Sequence, residues 1–583
     1  MKAQQPLDDN PCRPRHFKPA PCAPLPMEGP AKQSLETSHT RLIVTAGLFL
    51  LAFLAIGIRL VDVTVLKGGE TKLARTARTV TQPQVSRADI VDRNGVLLAT
   101  TLETPSLFAN PKQVANPQEA ARKIVSVLPD LSEGEVLAKL TSDKSFVWLK
   151  RRLTPRQQFD VNRLGIPGLQ FEREERRVYP KGNLAAHVVG YTGIDNKGLA
   201  GVERGLDDAL HERRDPIKLS IDIRLQYILR DEVQKQIDDF RAKGGMGLIA
   251  DVRTGEILSM ISLPDFDPNN AGAASPEAIF NRATLGVFEM GSIFKIFNTA
   301  MALDTKTATM TSGYDATKAI PIGKYTIHDD HPQRRWLTVP EIFQYSSNIG
   351  SVKMALDAGI EKQRDVLTRL GLTRMPTLEL KEIGGPLIPS PWRQINSMTI
   401  AFGHGMSVSP LQMINATSAV VNGGILHQAT LLKHPDDYIP AGEKVLSQQT
   451  SENMRKLMRL VVEKGTGEFA NAPGYLIGGK TGTAEKVTGK SYARKAVLAS
   501  FVGVFPMNDP RYVVMISIDE PHGNAKSHGF ITAGWVAAPP VGRVVQRMAP
   551  LLGIQPVDEN SPEIRRALVI DSSGQQGRKV AAN

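Results

Sequence analysis

The chain has 583 residues, 41% hydrophobic and 22% charged, with a formal net charge of +12. This is ordinary globular composition, rich enough in apolar residues for a large core and long enough for about three to four domains. The basic residues are spread out and not interleaved with aromatics, which argues against a nucleic-acid surface and suits an anionic membrane or cell-wall polymer.

Residues 1–41 are rich in proline and polar residues, and a disordered tail is expected there. The only cysteines, Cys12 and Cys22, lie in this stretch, so the main body holds no disulfide framework and no cysteine metal site. Residues 42–58 (LIVTAGLFLLAFLAIGI) carry no charge, and 42–60 reads as a membrane-spanning signal anchor with Arg59 snorkelling. Lys2, Arg13, Arg15, Lys18, Lys32 and Arg41 precede it, which places the N-terminus in the cytoplasm and everything after about residue 60 outside. The leader is too long for a cleaved signal peptide, and no small-x-small site follows the apolar core. Residues 67–85 read as a polar stalk. Residues 90–98 read as strand–turn–strand about Asp92-Arg93-Asn94-Gly95, and 118–127, 133–140 and 206–212 as helices. Near Asp215-Pro216 a larger α/β unit begins. It has a helix over 224–240, a hairpin of 246–251 with 256–262, and strands over 475–483, 499–504 and 512–518. Gly244-Gly245-Met246-Gly247 reads as a turn before a strand, without the lysine and serine of a phosphate loop. Residues 556–583 lose periodicity and read as a tail.

Three short motifs carry the chemistry. In Ser292-Ile293-Phe294-Lys295, the serine and lysine are one helical turn apart and share a face. Ser292 opens an apolar-periodic run, where unpaired N–H groups and the positive end of the helix dipole favour an oxyanion. Lys295, between Phe294 and Ile296, is placed to stay neutral and accept the serine proton. The bland alternative is a capping serine and a solvated lysine. Ser346-Ser347-Asn348 adds a second hydroxyl to relay a proton and an amide to hold a substrate amide; its bland alternative is another helix cap. Ser451-Glu452-Asn453 fits the same pattern but reads as the cap of the helix after it. Lys480-Thr481-Gly482-Thr483 ends the apolar strand YLIGG, where Gly479 and Gly482 let a substrate lie against the strand and Lys480 attracts its carboxylate. Strand alternation puts Lys480 and the two threonines on opposite faces, and how both reach one site stays open. Together the three motifs supply nucleophile, base, relay and anchor for acyl transfer. His328-Asp329-Asp330-His331 lacks helical i, i+4 spacing and a third separated ligand, so no metal site is expected. His404 reads as lining the cleft or capping a turn.

These residues resemble a class B penicillin-binding protein of the division-specific type. The resemblance runs from the anchor to about residue 555, through RADIVDRNG (87–95), FVWLKRRL (146–153), RRVYPKGNLAAHVVGYTGIDNKGLAGVE (176–203), LSIDIRLQ (219–226), FEMGSIFK (288–295), SSN (346–348) and GKTGTAEK (479–486). It implies an α+β multidomain chain: one transmembrane helix, a mixed α/β pedestal, dimerisation-like domain over 61–215, and over 216–555 a transpeptidase domain with a central antiparallel sheet flanked by helices. It also implies peptidoglycan D,D-transpeptidation through an acyl-enzyme on Ser292. Lys295 would be the base, Ser346 the shuttle and Asn348 a ligand of the donor amide. Lys480, Thr481 and Thr483 would hold the carboxylate beside Gly482, and the N–H groups of Ser292 and Thr483 would form the oxyanion hole. Expected partners are peptidoglycan stem peptides, β-lactams, and division proteins including a SEDS-family membrane glycosyltransferase, since no glycosyltransferase domain precedes the transpeptidase. Neither cofactor nor metal is implied, and the implied location is the inner membrane with a periplasmic catalytic domain. The chain departs from the family pattern at Met290 (usually proline), Ala88 (glycine), His404 (tyrosine), SHGFITAGW (the YGG segment) and in a short 210–219 stretch. A β-lactam hydrolase or sensor, a non-catalytic scaffold and the elongation-specific relative share parts of this pattern.

Overall fold

The computed structural model describes residues 30–61, 87–323, 325–488 and 491–570. The expected stalk over 67–85 lies outside them, as do residues 1–29 and 571–583 of the two expected tails. The chain divides into two units, Met1–Gln84 and Val85–Asn583.

Within the first unit, helix α1 spans Pro30–Val61. Residues 30–41, read as part of a disordered tail, are therefore helical. Proline is pre-organised for a first helical position, and 31–41 contains neither proline nor glycine. The spanning segment expected over 42–60 is matched in position only, because no helix among the described residues is long and apolar enough to cross a membrane. Its uncharged stretch falls short of the roughly 20 residues that a bilayer core asks of a helix. The apolar side chains of α1 nevertheless point outward, with Phe53 71% exposed.

The second unit opens with β1 (Ile90–Val91) and β2 (Leu97–Ala109), the expected hairpin with a longer second arm. Asp92 Oδ1 closes its turn by accepting from the N–H groups of Asn94 and Val96, each at 2.8 Å. Helices α2 (Pro117–Val127) and α3 (Glu133–Leu140) follow, then β3 (Val147–Lys150), β4 (Leu169–Val178), α4 (Asp207–Glu212) and β5 (Ile217–Lys218). β2 is the spine of this sheet: β3 and β4 pair with it, and β1 joins it to β5. Beneath the sheet lies a buried ion cluster. Glu203 takes Arg87 Nε at 2.5 Å on one oxygen and Arg177 Nε at 2.7 Å on the other, while Arg177 Nη2 donates to Ala88 O at 2.8 Å.

Helix α5 (Ile223–Phe240) leads into β6 (Gly244–Asp251) and β7 (Ile257–Leu263). The glycine run 244–247 lies within β6 and is no turn. A Cβ on Gly245 would meet Val233 at 2.8 Å and one on Gly247 would meet Leu229 at 2.9 Å, so small residues let α5 sit flat on the sheet. Helices α6 (Lys295–Asp304), α7 (Asn348–Ala358) and α8 (Gln448–Lys464) come next, then β8 (Gly478–Thr488), β9 (Ser491–Phe505), β10 (Tyr512–Asp519) and α9 (Ala538–Leu551). The central sheet is antiparallel in the order β8–β9–β10–β6–β7, with β8 at the edge. One face packs Phe501, Ile516 and Ile249 against α5 and α9. The other packs Val502, Met515 and Leu248 against α6 and α8, and that core runs on to Ile90 and Leu98 of the pedestal. The stretch 556–583 is not wholly a tail: α10 (Pro562–Leu568) buries Ile564 and Leu568, and Arg459 Nη2 donates to Glu559 at 2.8 Å.

Candidate active site

Ser292 lies in a tight 3₁₀ turn, Gly291–Phe294, that runs straight into α6. The turn is pressed against the edge strand. Gly291 has φ +53°, and a Cβ on Gly482 would lie 2.4 Å from Met290 O, so only glycine lets β8 approach the serine turn this closely. Ile293 and Phe294 anchor the turn from below in the core.

One turn on, Lys295 is fully buried. Its Nζ stands 2.9 Å from Ser292 Oγ, 3.0 Å from Ser346 Oγ, 2.5 Å from Ser346 O and 2.6 Å from Asn348 Oδ1. All of these partners are neutral. Burial pushes the amine down to about 7, against the pull of the Asp330 and Asp329 carboxylates. Lys480 is also fully buried, with Nζ 2.9 Å from Ser346 Oγ and 6.0 Å from the Phe343 ring centre. Burial first, and then the charge of Lys295, hold it well below the ordinary lysine range. The two amines thus meet at a single hydroxyl.

That hydroxyl is held by an unusual backbone. Ser346 has φ +58°, a left-handed conformation that a non-glycine residue adopts at some cost. Capping of α7 falls to the middle serine of the motif: Ser347 Oγ accepts from Gly350 N–H at 3.0 Å and donates to Asp329 Oδ2 at 2.8 Å. Asp329 Oδ1 accepts from Ile349 N–H at 2.9 Å, and Asn348 Nδ2 donates to His328 O at 2.8 Å. The His328–His331 segment, dismissed as a metal site, is thus the strap that fixes the Ser346–Asn348 turn. Sequence reasoning missed that role. Its one available signal was the carboxylate of Asp329, which suits the N-terminal end of α7.

The open question of the third motif has a geometric answer. Lys480 pairs across the sheet with Val502 and faces the core that carries Ser292. Thr481 and Thr483 pair with Phe501 and Ala499 on the opposite face. There Thr481 Oγ1 lies 2.7 Å from Thr466 Oγ1, and Thr483 Oγ1 accepts from Ala533 N–H at 3.0 Å. Lys480 Nζ nevertheless curls back to Thr481, 3.4 Å from its carbonyl oxygen and 3.5 Å from its Oγ1. The other Ser-x-Asn is elsewhere: α8 is capped by Ser447, not by Ser451 or Thr450, and Ser451 Oγ is buried, accepting from Gly423 N–H at 2.9 Å. His404 is half-buried, its ring 5.3 Å from that of Phe402, and the adjacent Gly405 N–H donates to Glu289 at 2.7 Å. Burial lowers the His404 imidazole, against the pull of the Glu289 carboxylate.

Residues 245–536 match the family described as the penicillin binding protein transpeptidase domain, and residues 82–222 the penicillin-binding protein dimerisation domain. The chain is 42% identical over 496 residues to the probable peptidoglycan D,D-transpeptidase FtsI of Caulobacter vibrioides, covering 82% of this chain and 84% of the relative. The apo transpeptidase domain of Burkholderia pseudomallei penicillin-binding protein 3 is 34% identical, with a TM-score of 0.53 over 59% of this chain and 98% of that one. Penicillin-binding protein 3 of Mycobacterium tuberculosis, complexed with ampicillin, is 25% identical, with a TM-score of 0.65 over 83% of this chain and 98% of that one.

Proposed function

Because the chain belongs to the penicillin-binding protein transpeptidases, we propose a specific division of labour in its cleft and a place for it in the cell. It is a serine-type D-Ala-D-Ala transpeptidase that cross-links peptidoglycan and is the target of β-lactams. The observation that carries the assignment of roles is Lys295 Nζ, buried among neutral groups, lowered to about 7 and 2.9 Å from Ser292 Oγ. A neutral amine there takes the Ser292 proton as Oγ attacks the penultimate D-Ala carbonyl. The resulting oxyanion is held by the N–H groups of Ser292 and Thr483. When the tetrahedral centre collapses, the C–N bond breaks and the leaving nitrogen takes a proton through Ser346, whose Oγ touches both lysines. D-Ala departs and the acyl group stays on Ser292. An acceptor amine from a neighbouring stem peptide then attacks that ester, gives up its proton along the same path and restores Ser292. Asn348 holds the donor amide. Lys480, Thr481 and Thr483 receive the terminal carboxylate, with Gly482 keeping the strand close.

The named relatives point to the division septum as the workplace. The outward apolar side chains of α1 support a single-pass inner-membrane anchor over residues 42–60, with the N-terminus cytoplasmic and the pedestal (61–215) and catalytic domain (216–555) in the periplasm. Such an anchor is the surface that a SEDS-family membrane glycosyltransferase and other division proteins would meet. The test is labelling by a fluorescent penicillin, followed over hours by intact mass, on wild type and Ser292→Ala. A stable adduct on wild type alone is expected. Label that is lost within minutes as hydrolysed drug accumulates would make the protein a β-lactamase, and no label on folded wild type would leave only a scaffold.

A further inference from the structure

A groove of about 590 Å³, within the range of small-ligand sites, lies between the C-terminal half of α5 and the start of α9. Phe469 and Trp535 form its apolar wall, with ring centres 4.7 Å apart. Phe530 stacks on Trp535 at 5.8 Å and 11°, and Phe469 and Phe530 are 51% and 52% exposed. Two hydrogen bonds tie this wall to the strand that would carry the substrate. Thr466, three residues before Phe469, touches Thr481, and Ala533, two residues before Trp535, donates to Thr483. The polar rim holds three carboxylates and three cations, together with Gln236 and Ser527. Two of its pairs are made within the groove, Arg543 with Glu232 at 2.6 Å and Lys526 with Asp239 at 3.2 Å, and Lys235 and Asp238 complete it.

We propose that this groove binds saccharide, namely sugar rings of the peptidoglycan glycan strand whose stem peptide enters the cleft. The apolar face of a pyranose presents C–H bonds that pack on an aromatic ring, while its hydroxyl and acetamido groups exchange hydrogen bonds with the paired charges of the rim. The rim, with three carboxylates against three cations, adds no local attraction for a polyanion. A purely apolar partner would desolvate the rim charges without replacing their hydrogen bonds. Linkage to the edge strand supplies the rest: the segments that carry Phe469 and Trp535 are hydrogen-bonded through Thr466 and Ala533 to Thr481 and Thr483 of the strand that would hold the stem peptide. The inference rests on the peptidoglycan reading of the cleft.

The probe is chitotetraose, titrated into full-length protein and followed by calorimetry, with Phe469→Ala and Trp535→Leu as variants and fluorescent-penicillin labelling measured on the same samples. Saturable binding to wild type is expected, weakened tenfold or more in either variant, with Phe469→Ala labelling at the wild-type rate. Wild type that labels fully yet does not bind chitotetraose would overturn the proposal, as would equal binding by both variants. Chitotetraose binding that depends on Phe469 in a protein that fails to label would instead break the transpeptidase reading and keep the groove.

Discussion

Arg87 and Arg177 in the pedestal and Lys295 and Lys480 in the cleft are all almost or wholly buried, yet the two pairs of cations live in opposite surroundings. The arginines clamp Glu203 between them, Arg87 adds a second carboxylate in Asp207 at 2.6 Å, and further N–H groups go to the carbonyls of Glu203, Arg87 and Ala88. The lysines face hydroxyls, an amide and carbonyls. Guanidinium cannot shed its proton, so burying it demands a matched anion. An amine can shed its proton, so burial without an anion turns a structural cost into a base. The same operation, taking a cation out of water, draws in carboxylates around Arg87 and Arg177 and, at Lys295, lowers an amine that stands 2.9 Å from Ser292 Oγ.

That contrast breaks most visibly in the pedestal. Glu203→Gln leaves the buried Arg177 without an anion and Arg87 with Asp207 alone, and is expected to cost about 3–5 kcal/mol, read as a large fall in thermal midpoint or in folded yield. Loss of less than about 1 kcal/mol would mean that Asp207 and the carbonyls suffice to hold the arginines. In the cleft the expectation reverses. Lys295→Met should lower the rate of penicillin acylation by about 10²–10⁴-fold while leaving the thermal midpoint unchanged or higher, because a buried group costly to charge is gone. A large drop in stability with that change would show that the lysine is a structural ion after all. The sign for pH follows: the folded value, about 7, lies below the unfolded one, so the unfolded chain holds the extra proton between them. Stability should therefore rise with pH across that window, from a penalty that is complete below about 7. The smallest expected effect concerns position alone. Gly482→Ala forces a Cβ against Met290 O at 2.4 Å and should cost about 1–3 kcal/mol, with a roughly tenfold slower acylation as β8 moves off the serine turn.

The sequence made some of this legible and hid the rest for identifiable reasons. Ser292 and Lys295 could be paired because i and i+3 neighbours on a helix are a local rule, and the Lys480 face followed from strand alternation. Several elements of the second unit could be located the same way, α2, α3 and α5 within a residue or so at their ends. Partners distant in the chain were invisible. Nothing local to Asp329 says that it caps α7 through Ser347, and nothing local to Thr466 says that it touches Thr481. The glycines of β6 read as a turn in the sequence because their reason lies in Leu229 and Val233, on another element. α10 and the Glu559 contacts were lost in a stretch whose composition resembles a tail, since a seven-residue helix carries too little periodicity to stand out. The left-handed Ser346 has no signature in residue type at all.

Whether a neutral Lys295 activates Ser292 is read from the pH dependence of Ser292 acylation by a fluorescent penicillin. A neutral lysine base gives a rate that climbs about tenfold per pH unit below about 7 and levels off above it, with Lys295→Met removing the dependence along with most of the rate. A wild-type rate that is flat from pH 5 to pH 9, roughly two units either side of that value, would contradict it.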